Sequence, residues 1–481
     1  MASAPAKDER RRAHRRPNQS RTDSRAMDPN SHMITLRLTS FICIALASCA
    51  TQPPGYQSGR SAWERMRSER EAAASPGVDE LDGDASLSEL LHYARANNPG
   101  LEAAFQRWKE ALERVPQATT LPEPRLSFSG YLSEVETRVG PMQARVGLAQ
   151  PFPWFGELEL AGNVAFEAAE AAREMLEAAR LELDQRLRDV WYEYAWLEQA
   201  IVITQGNQEL LAHWESVARA RLETGLGRHS DVIRAQVELG KLEDRVQTLT
   251  DLRRPLEARL NAALNRPSDA PLPKPTLPLP EPPEVDEQLL STALLSTSPT
   301  LRALNHRVKA AKHGIDLAGK AFYPDFFVGA DYTFIGSAEN PGTSGSGDDA
   351  VALTLGFDLP IWRSSYRAGV RESEAQMRRT RKEQEEILNR LSSDLEMALY
   401  QFRDGDRRVG LFRDSLIPKG EESVQALDTA YQSGDEGFLD LIDAERVLLE
   451  FQLQAARAEA DRAKALAEIE RITGVTLHPE L

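Results

Sequence analysis

The sequence predicts a mainly α protein with a small β part, in which one unit of two strands and a long helical hairpin occurs twice. Three observations lead there. Asn98-Pro99-Gly100-Leu101 and Ser298-Pro299-Thr300-Leu301 open helical stretches 200 residues apart, and Pro124 and Pro324 precede strand-like runs at the same spacing. Gly147-Leu148-Ala149-Gln150-Pro151-Phe152 matches Gly356-Phe357-Asp358-Leu359-Pro360-Ile361 at a spacing of 209, which Gly225/Gly434, Asp231/Asp440 and Ala235/Ala444 repeat. The change in spacing falls in the Gly/Ser-rich stretch 336–349, the composition of an exposed loop that tolerates insertion.

The elements of one unit follow in order. A first helix covers 101–119 in copy one and 301–322 in copy two, ended by Pro122 and Pro124 or by Pro324. Two strands follow in each copy, at 126–132 and 143–149, then at 326–334 and 351–359. The last run alternates, with apolar odd positions and with Thr354 and Asp358 on the other face. Long helices come next, at 154–224 and 363–433. The first is dominated by Ala, Glu, Leu and Arg and would extend roughly 100 Å. The second contains Pro418, where a kink is expected. Return helices cover 230–264 and 438–472. The short first helix and the return helix together approach the length of one long helix, so both can lie end to end against it. Val190, Tyr194, Leu197 and Ile201 mark the packing stripe.

Bulk composition excludes several classes. Aromatic residues make up 7% and charged residues 27% of the 481-residue chain, which suits long solvated helices better than a thick core. A net charge of −16 argues against a nucleic-acid partner. The two cysteines, Cys43 and Cys49, share one short apolar stretch, which leaves the body without a disulfide frame, thiolate zinc cluster or cysteine nucleophile. No apolar run is long enough for a membrane-spanning helix. No phosphate-binding glycine loop and no catalytic set stands out, so neither an enzyme nor a cofactor is expected. His306 and His313 share a helix without a third ligand and read as part of a solvated coiled-coil face.

The N-terminus reads as an address. A basic start after Met33 and an apolar stretch at 41–47 lead to Leu46-Ala47-Ser48-Cys49, which resembles a bacterial lipobox. Residues 33–49 are thus a lipoprotein signal, with Cys49 the lipidation site. Residues 1–32 are a dispensable basic extension or a start assigned too far upstream, with a nucleic-acid arm as the alternative. Residues 50–85, rich in Pro, Gly, Ser and Glu, read as a flexible tether. The repeats occupy 86–266 and 286–475, with a Pro-rich linker at 267–285 between them.

Each copy supplies two strands and the chain four, too few to close a transmembrane barrel. Either the strands are not membranous or several protomers share one barrel; the anchor and the short helix–strand–strand–helix spacing favour sharing. The pattern resembles the TolC-type outer-membrane efflux protein family over about 86–475. The motifs that carry the resemblance are Gln150-Pro151-Phe152-Pro153-Trp154-Phe155-Gly156 and two hairpin tips. The tips run from Arg221 through Thr224-Gly225-Leu226-Gly227 to Val232, and from Ala430 through Gly434-Asp435-Glu436-Gly437 to Ala444. The Pro-Phe-Pro-Trp-Phe-Gly join is similar to the heavy-metal efflux branch.

The resemblance implies a homotrimer with a 12-stranded β-barrel continued by a 12-helix α-barrel. It implies a lipid-anchored location in the bacterial outer membrane, reaching into the periplasm. It also implies a periplasmic adaptor and an inner-membrane pump of RND type as partners, with heavy-metal ions or drugs as cargo. Asp440 and Asp443 would line the narrow periplasmic entrance as rings of carboxylates, the alternative for Asp440 being a helix N-terminal acid. Asp231 and Tyr431 match positions that latch neighbouring hairpins, although Glu436 stands where the family pattern has a basic residue. Gly225, Gly227, Gly434 and Gly437 are expected to take positive φ at the turns, and Ser230 or Asp231 to cap the return helix. Rival readings are a periplasmic adaptor and a structural coiled-coil lipoprotein without a pore. An adaptor usually carries one hairpin rather than two, and a plain coiled coil needs no paired strands.

Overall fold

A computed structural model describes residues 52–73, 85–275 and 281–477. Cys49 and the expected signal lie outside the described residues.

The longest element is α4, Glu157–Glu223, with 67 residues. Isolated helices gain little stability from the backbone alone, so α4 depends on what covers its apolar stripe. Val190, Tyr194, Leu197 and Ile201 are all buried along it. In copy one, α3 (Pro99–Thr119) covers one half of α4 and α5 (His229–Ala263) the other. The two meet end to end. Asn98 accepts from the amides of Gly100 and Leu101, and its Nδ2 donates to the Ala263 carbonyl at 3.0 Å. One side chain therefore serves exposed backbone groups of both helix ends.

Copy two repeats the plan. Its long helix is α8 (Arg363–Leu411), a π-helical turn (Phe412–Leu416) and α9 (Ile417–Ser433). The covering pair is α7 (Pro299–Lys320) and α10 (Phe438–Thr473). At their joint Thr297 Oγ1 donates to the Thr473 carbonyl at 2.6 Å. Gly474, with φ +74°, lies where a Cβ would approach the Thr297 carbonyl oxygen to 2.8 Å. The copies join because α7 and α10 also pack on α4. The helix layer therefore runs α5, α4, α10 and then the lower part of α8 with α9 below the joints, and α3, α4, α7 and the upper part of α8 above them.

The strands β1 (Arg125–Thr137), β2 (Gly140–Phe152), β3 (Asp325–Ile335) and β4 (Ala350–Asp358) form one antiparallel sheet in chain order. The register places Leu126, Leu148, Ala330 and Leu353 in one row, and Phe128, Val146, Tyr332 and Val351 in the next. That face is apolar and largely exposed. The opposite face is polar: Arg145 pairs with Asp331 at 2.7 Å, and Thr354 donates to Asp331 at 3.2 Å. Gly147 lies beneath this cluster, where a Cβ would come within 2.3 Å of Asp331 Oδ1.

Three expectations change. The stretch read as a tether contains α1, Tyr56–Ala73. Tyr56, Trp63 and Met66 recur at helical spacing and dock α1 antiparallel to α3. Trp63 stacks on Phe105 at 5.2 Å between ring centroids, and Arg70 pairs with Glu102 at 2.8 Å. A composition reading overlooks that spacing. Two further helices, α2 (Leu87–Asn97) and α6 (Glu287–Thr297), open the repeats; Ser86 supplies a full capping box and Asp286 an N-cap. The expected kink at Pro418 appears as the π turn ahead of it, which leaves the proline in the first turn of α9, where no amide donor is needed.

The linker is tied down at both described ends. Lys274 and Arg253 both reach Glu198 of α4, while Glu281 accepts from Arg413 of the π turn and Arg462 of α10.

Trp63→Ala should cost roughly 3–5 kcal/mol of docking, as for other buried aromatic truncations. Limited trypsin digestion should then cut within α1 well before the rest of the body. Equal cutting rates in the variant and the parent would show that Trp63 does not hold the helix.

Candidate functional site

The two hairpin tips lie side by side because α4 and α9 end at the same level. In the first, Gly225 takes φ +76° and lets the chain leave α4; in the second, Gly434 takes φ +89° and ends α9. The other two turn glycines do different work from that expected. Gly227 does not take positive φ; a Cβ there would meet the Leu222 nitrogen at 2.8 Å, so close backbone approach is what requires glycine. Gly437 is the extended N-cap of α10, with φ −82° and ψ 149°. Neither Ser230 nor Asp231 caps α5. Its N-cap is Arg228, without a side-chain cap, and Asp231 sits in the first turn, where the helix dipole favours an acid.

Tyr431 is 4% exposed and packs on Phe438, with ring centroids 5.1 Å apart. Its hydroxyl finds no hydrogen-bond partner among the described residues. Burial raises the phenol pKa; the Asp231 carboxylate pushes the same way and the Arg221 guanidinium opposes it.

One tie between the tips is Arg221, a residue of the first tip motif with no role foreseen for it. Its Nη1 donates to the carbonyls of Tyr431 and Gln432, both at 2.7 Å, and its guanidinium carbon lies 5.0 Å from the Tyr431 ring centroid. The cation thereby sits on the last carbonyls of α9, at the negative end of that helix. Its position four residues ahead of Gly225 is the only sequence signal.

Asp440 and Asp443 are both exposed on the first turns of α10. They do not share one environment. Asp440 makes no ion pair among the described residues, whereas Asp443 accepts from Arg446 at 2.9 Å, and Arg446 also pairs with Glu238 of α5. A second tie between the hairpins therefore runs through Arg446.

Beneath that tie lies Glu445, 2% exposed, with Oε1 lacking a hydrogen-bond partner. Burial, reinforced by the Glu238 charge and opposed by Arg446, pushes its carboxyl up to about 7. The signal for Glu445 was an acid set among the seam residues Leu441, Ile442, Leu448 and Leu449. His306, read as solvated, faces Glu167 of α4, with Nδ1 and Oε2 2.6 Å apart. Among the described residues no cluster of His, Cys, Asp and Glu could hold a metal ion, and no helix is long and apolar enough to cross a membrane.

Comparison with known proteins gives one family. The model of the outer membrane efflux protein family matches residues 90–266 and 290–475. The chain is 22% identical to the pyoverdine export outer membrane protein OpmQ of Pseudomonas putida, over 90% of this chain and 96% of that one. It is 22% identical to the cobalt-zinc-cadmium resistance protein CzcC of Cupriavidus metallidurans, over 82% and 91%. Among solved structures, the outer membrane protein VceC of Vibrio cholerae superposes with a TM-score of 0.68 at 18% identity, covering 82% of this chain and 97% of that one.

Glu445 has a folded pKa above that of an unfolded glutamate. Its contribution to stability is therefore full below about pH 4.5 and is lost as pH rises through about 7. Protection factors in the first turns of α10, taken relative to the intrinsic base-catalysed exchange rate at each pH, should be lower at pH 8 than at pH 5.5, and Glu445→Gln should remove most of that difference. A pH response that survives in the Gln variant would assign it to another group.

Proposed function

The chain belongs to the outer membrane efflux protein family, and on that premise we propose that it is the outer-membrane channel of a tripartite efflux system. It conducts cargo passively from an inner-membrane pump and a periplasmic adaptor to the exterior. The observation that carries this reading is the open sheet. One face is apolar and exposed, the other is polar, and β1 and β4 are unpaired along their outer edges among the described residues. Backbone groups left unpaired in hydrocarbon are costly, so an open edge does not persist in a membrane. Pairing β4 of one copy with β1 of the next removes the edges. Three copies then give a twelve-stranded barrel with its polar face inward, and the four-helix layer closes in the same way into a tunnel.

The N-terminus supports the lipid anchor. Pro53 packs on Gly162 near the start of α4, beside Thr119 at the end of α3. The lipobox-like Leu46-Ala47-Ser48-Cys49 supports Cys49 as the site of that anchor.

The second hairpin is the gate. Only its long helix carries the π turn, and only its tip carries the Asp440/Asp443 pair. Asp440 supplies the carboxylate ring at the entrance, while Asp443 is shared with Arg446. Arg221 and Arg446 hold this hairpin against the first. The cargo class is heavy-metal ions or drugs and the pump is of RND type; the Pro151-Phe152-Pro153-Trp154-Phe155-Gly156 join and the likeness to a cobalt-zinc-cadmium resistance protein support the metal branch.

Three measurements test these points. Purified protein should run as a heat-labile trimer and form cation-selective channels in planar bilayers; a monomer without conductance would overturn the channel reading. Asp440→Asn combined with Asp443→Asn should raise conductance and lower cation selectivity without loss of trimer, and an unchanged channel would remove the carboxylate gate. Cys49→Ser should abolish incorporation of radiolabelled palmitate, while persistent labelling would place the lipid elsewhere.

A further inference from the structure

We propose that Arg363, Arg367 and Arg371 form a binding site for anionic phospholipid headgroups in the membrane leaflet that faces the periplasm. The proposal rests on the channel reading, because that reading places the sheet in the bilayer.

The three arginines open α8 at i, i+4 and i+8, so they make one stripe. All three are exposed, and none makes a side-chain hydrogen bond or ion pair among the described residues. That sets them apart in a chain whose arginines are mostly paired: Arg378 and Arg379, one or two turns on, reach Glu374 and Glu383. The stripe also continues an apolar surface. Leu353, Leu355, Phe357 and Leu359 lie on the apolar side of β4 and its end, and Ile361 and Trp362 carry the exposed apolar band on, with Trp362 70% exposed. An aromatic at the edge of an apolar band marks the interface of a membrane protein. Arginines directly below it stand at headgroup depth.

The dimensions agree. Arg363 to Arg371 spans about 12 Å along the helix, and the headgroup layer is roughly 5–8 Å thick on each side. Arg363 and Arg367 would sit within it, and Arg371 would reach up from its lower edge with a long side chain. A guanidinium also matches phosphate oxygens in bidentate geometry.

The internal repeat sharpens the assignment. At the spacing of 209, Arg363, Arg367 and Arg371 correspond to Trp154, Leu158 and Gly162. Gly162 is buried where Pro53 packs, so the equivalent place on copy one is covered by the segment ahead of α1, and copy two alone presents the arginine stripe.

The test is native mass spectrometry of the detergent-solubilised protein, supplied with phosphatidylglycerol and phosphatidylcholine in equal amounts. The parent should retain phosphatidylglycerol preferentially, on the order of tenfold to a hundredfold for three interfacial arginines. The triple variant R363Q/R367Q/R371Q should fall close to equal retention, and the triple Lys variant should keep most of the preference. Equal retention by the parent, or undiminished preference in the Gln variant, would overturn the site. Loss of the oligomer in the Gln variant would also overturn it, by placing the stripe between copies. Conductance of the same preparation separates the two readings. Its absence counts against the channel, whereas conducting protein without lipid preference counts against the arginine site alone.

Discussion

The structure depends on covering one helix. At 67 residues α4 extends about 100 Å, and its seam carries Leu187, Leu197, Ala200, Leu211 and Trp214, each no more than 1% exposed. No single partner is as long in copy one, so α3 and α5 divide the task and must meet without leaving polar backbone buried. Asn98 solves that joint, and Thr297 with Gly474 solves its counterpart. Once the joints are made, α7 and α10 lie on the other flank of α4 and bring the second repeat with them. The sheet is then the upper end of the same layer, with its strands in the order the helices impose.

Duplication leaves the two halves alike in outline and different in detail, and the differences gather in copy two. Its long helix is interrupted by the π turn, which Arg413 ties to Glu281 of the linker and Glu459 of α10. A π turn adds a residue to the helical ladder and weakens it locally. Its tip has a buried acid, Glu445, where the surrounding seam is apolar. At the start of α8 it presents exposed arginines where copy one receives the segment ahead of α1. One half thus has a continuous long helix and the other an interrupted one.

The polar ties at the tips are few and specific. Arg221 uses two carbonyls of α9 and an aromatic face, all in one small volume, while Arg446 divides itself between Asp443 and Glu238. Exposed ion pairs contribute little to stability, so the Arg446 tie is better understood as setting which hairpin surfaces meet. The Arg221 contact is more enclosed; its Nε is buried without a partner, a cost tolerated where the rest of the guanidinium is well held.

The sequence by itself determined the duplication, the order of elements and most of their limits, because these depend on local chemistry. Proline ends the short helices, glycine with positive φ turns the tips at Gly225 and Gly434, and the alternation around Thr354 marks a two-faced strand. It also located the tip residues Asp440 and Asp443, though not their unequal surroundings. What only the tertiary structure decided depends on partners distant in the chain. Helix α1 looked like a tether because its stability comes from Phe105 and Glu102 rather than from its own composition. Gly227 and Gly437 looked like turn glycines, but close approach to Leu222 and an extended cap explain them. Arg221 was visible in a motif, yet its carbonyl partners lie 210 and 211 residues away. A linear pattern records which residues are present at a turn, whereas the ties between two turns exist only after α4 has brought the hairpins side by side.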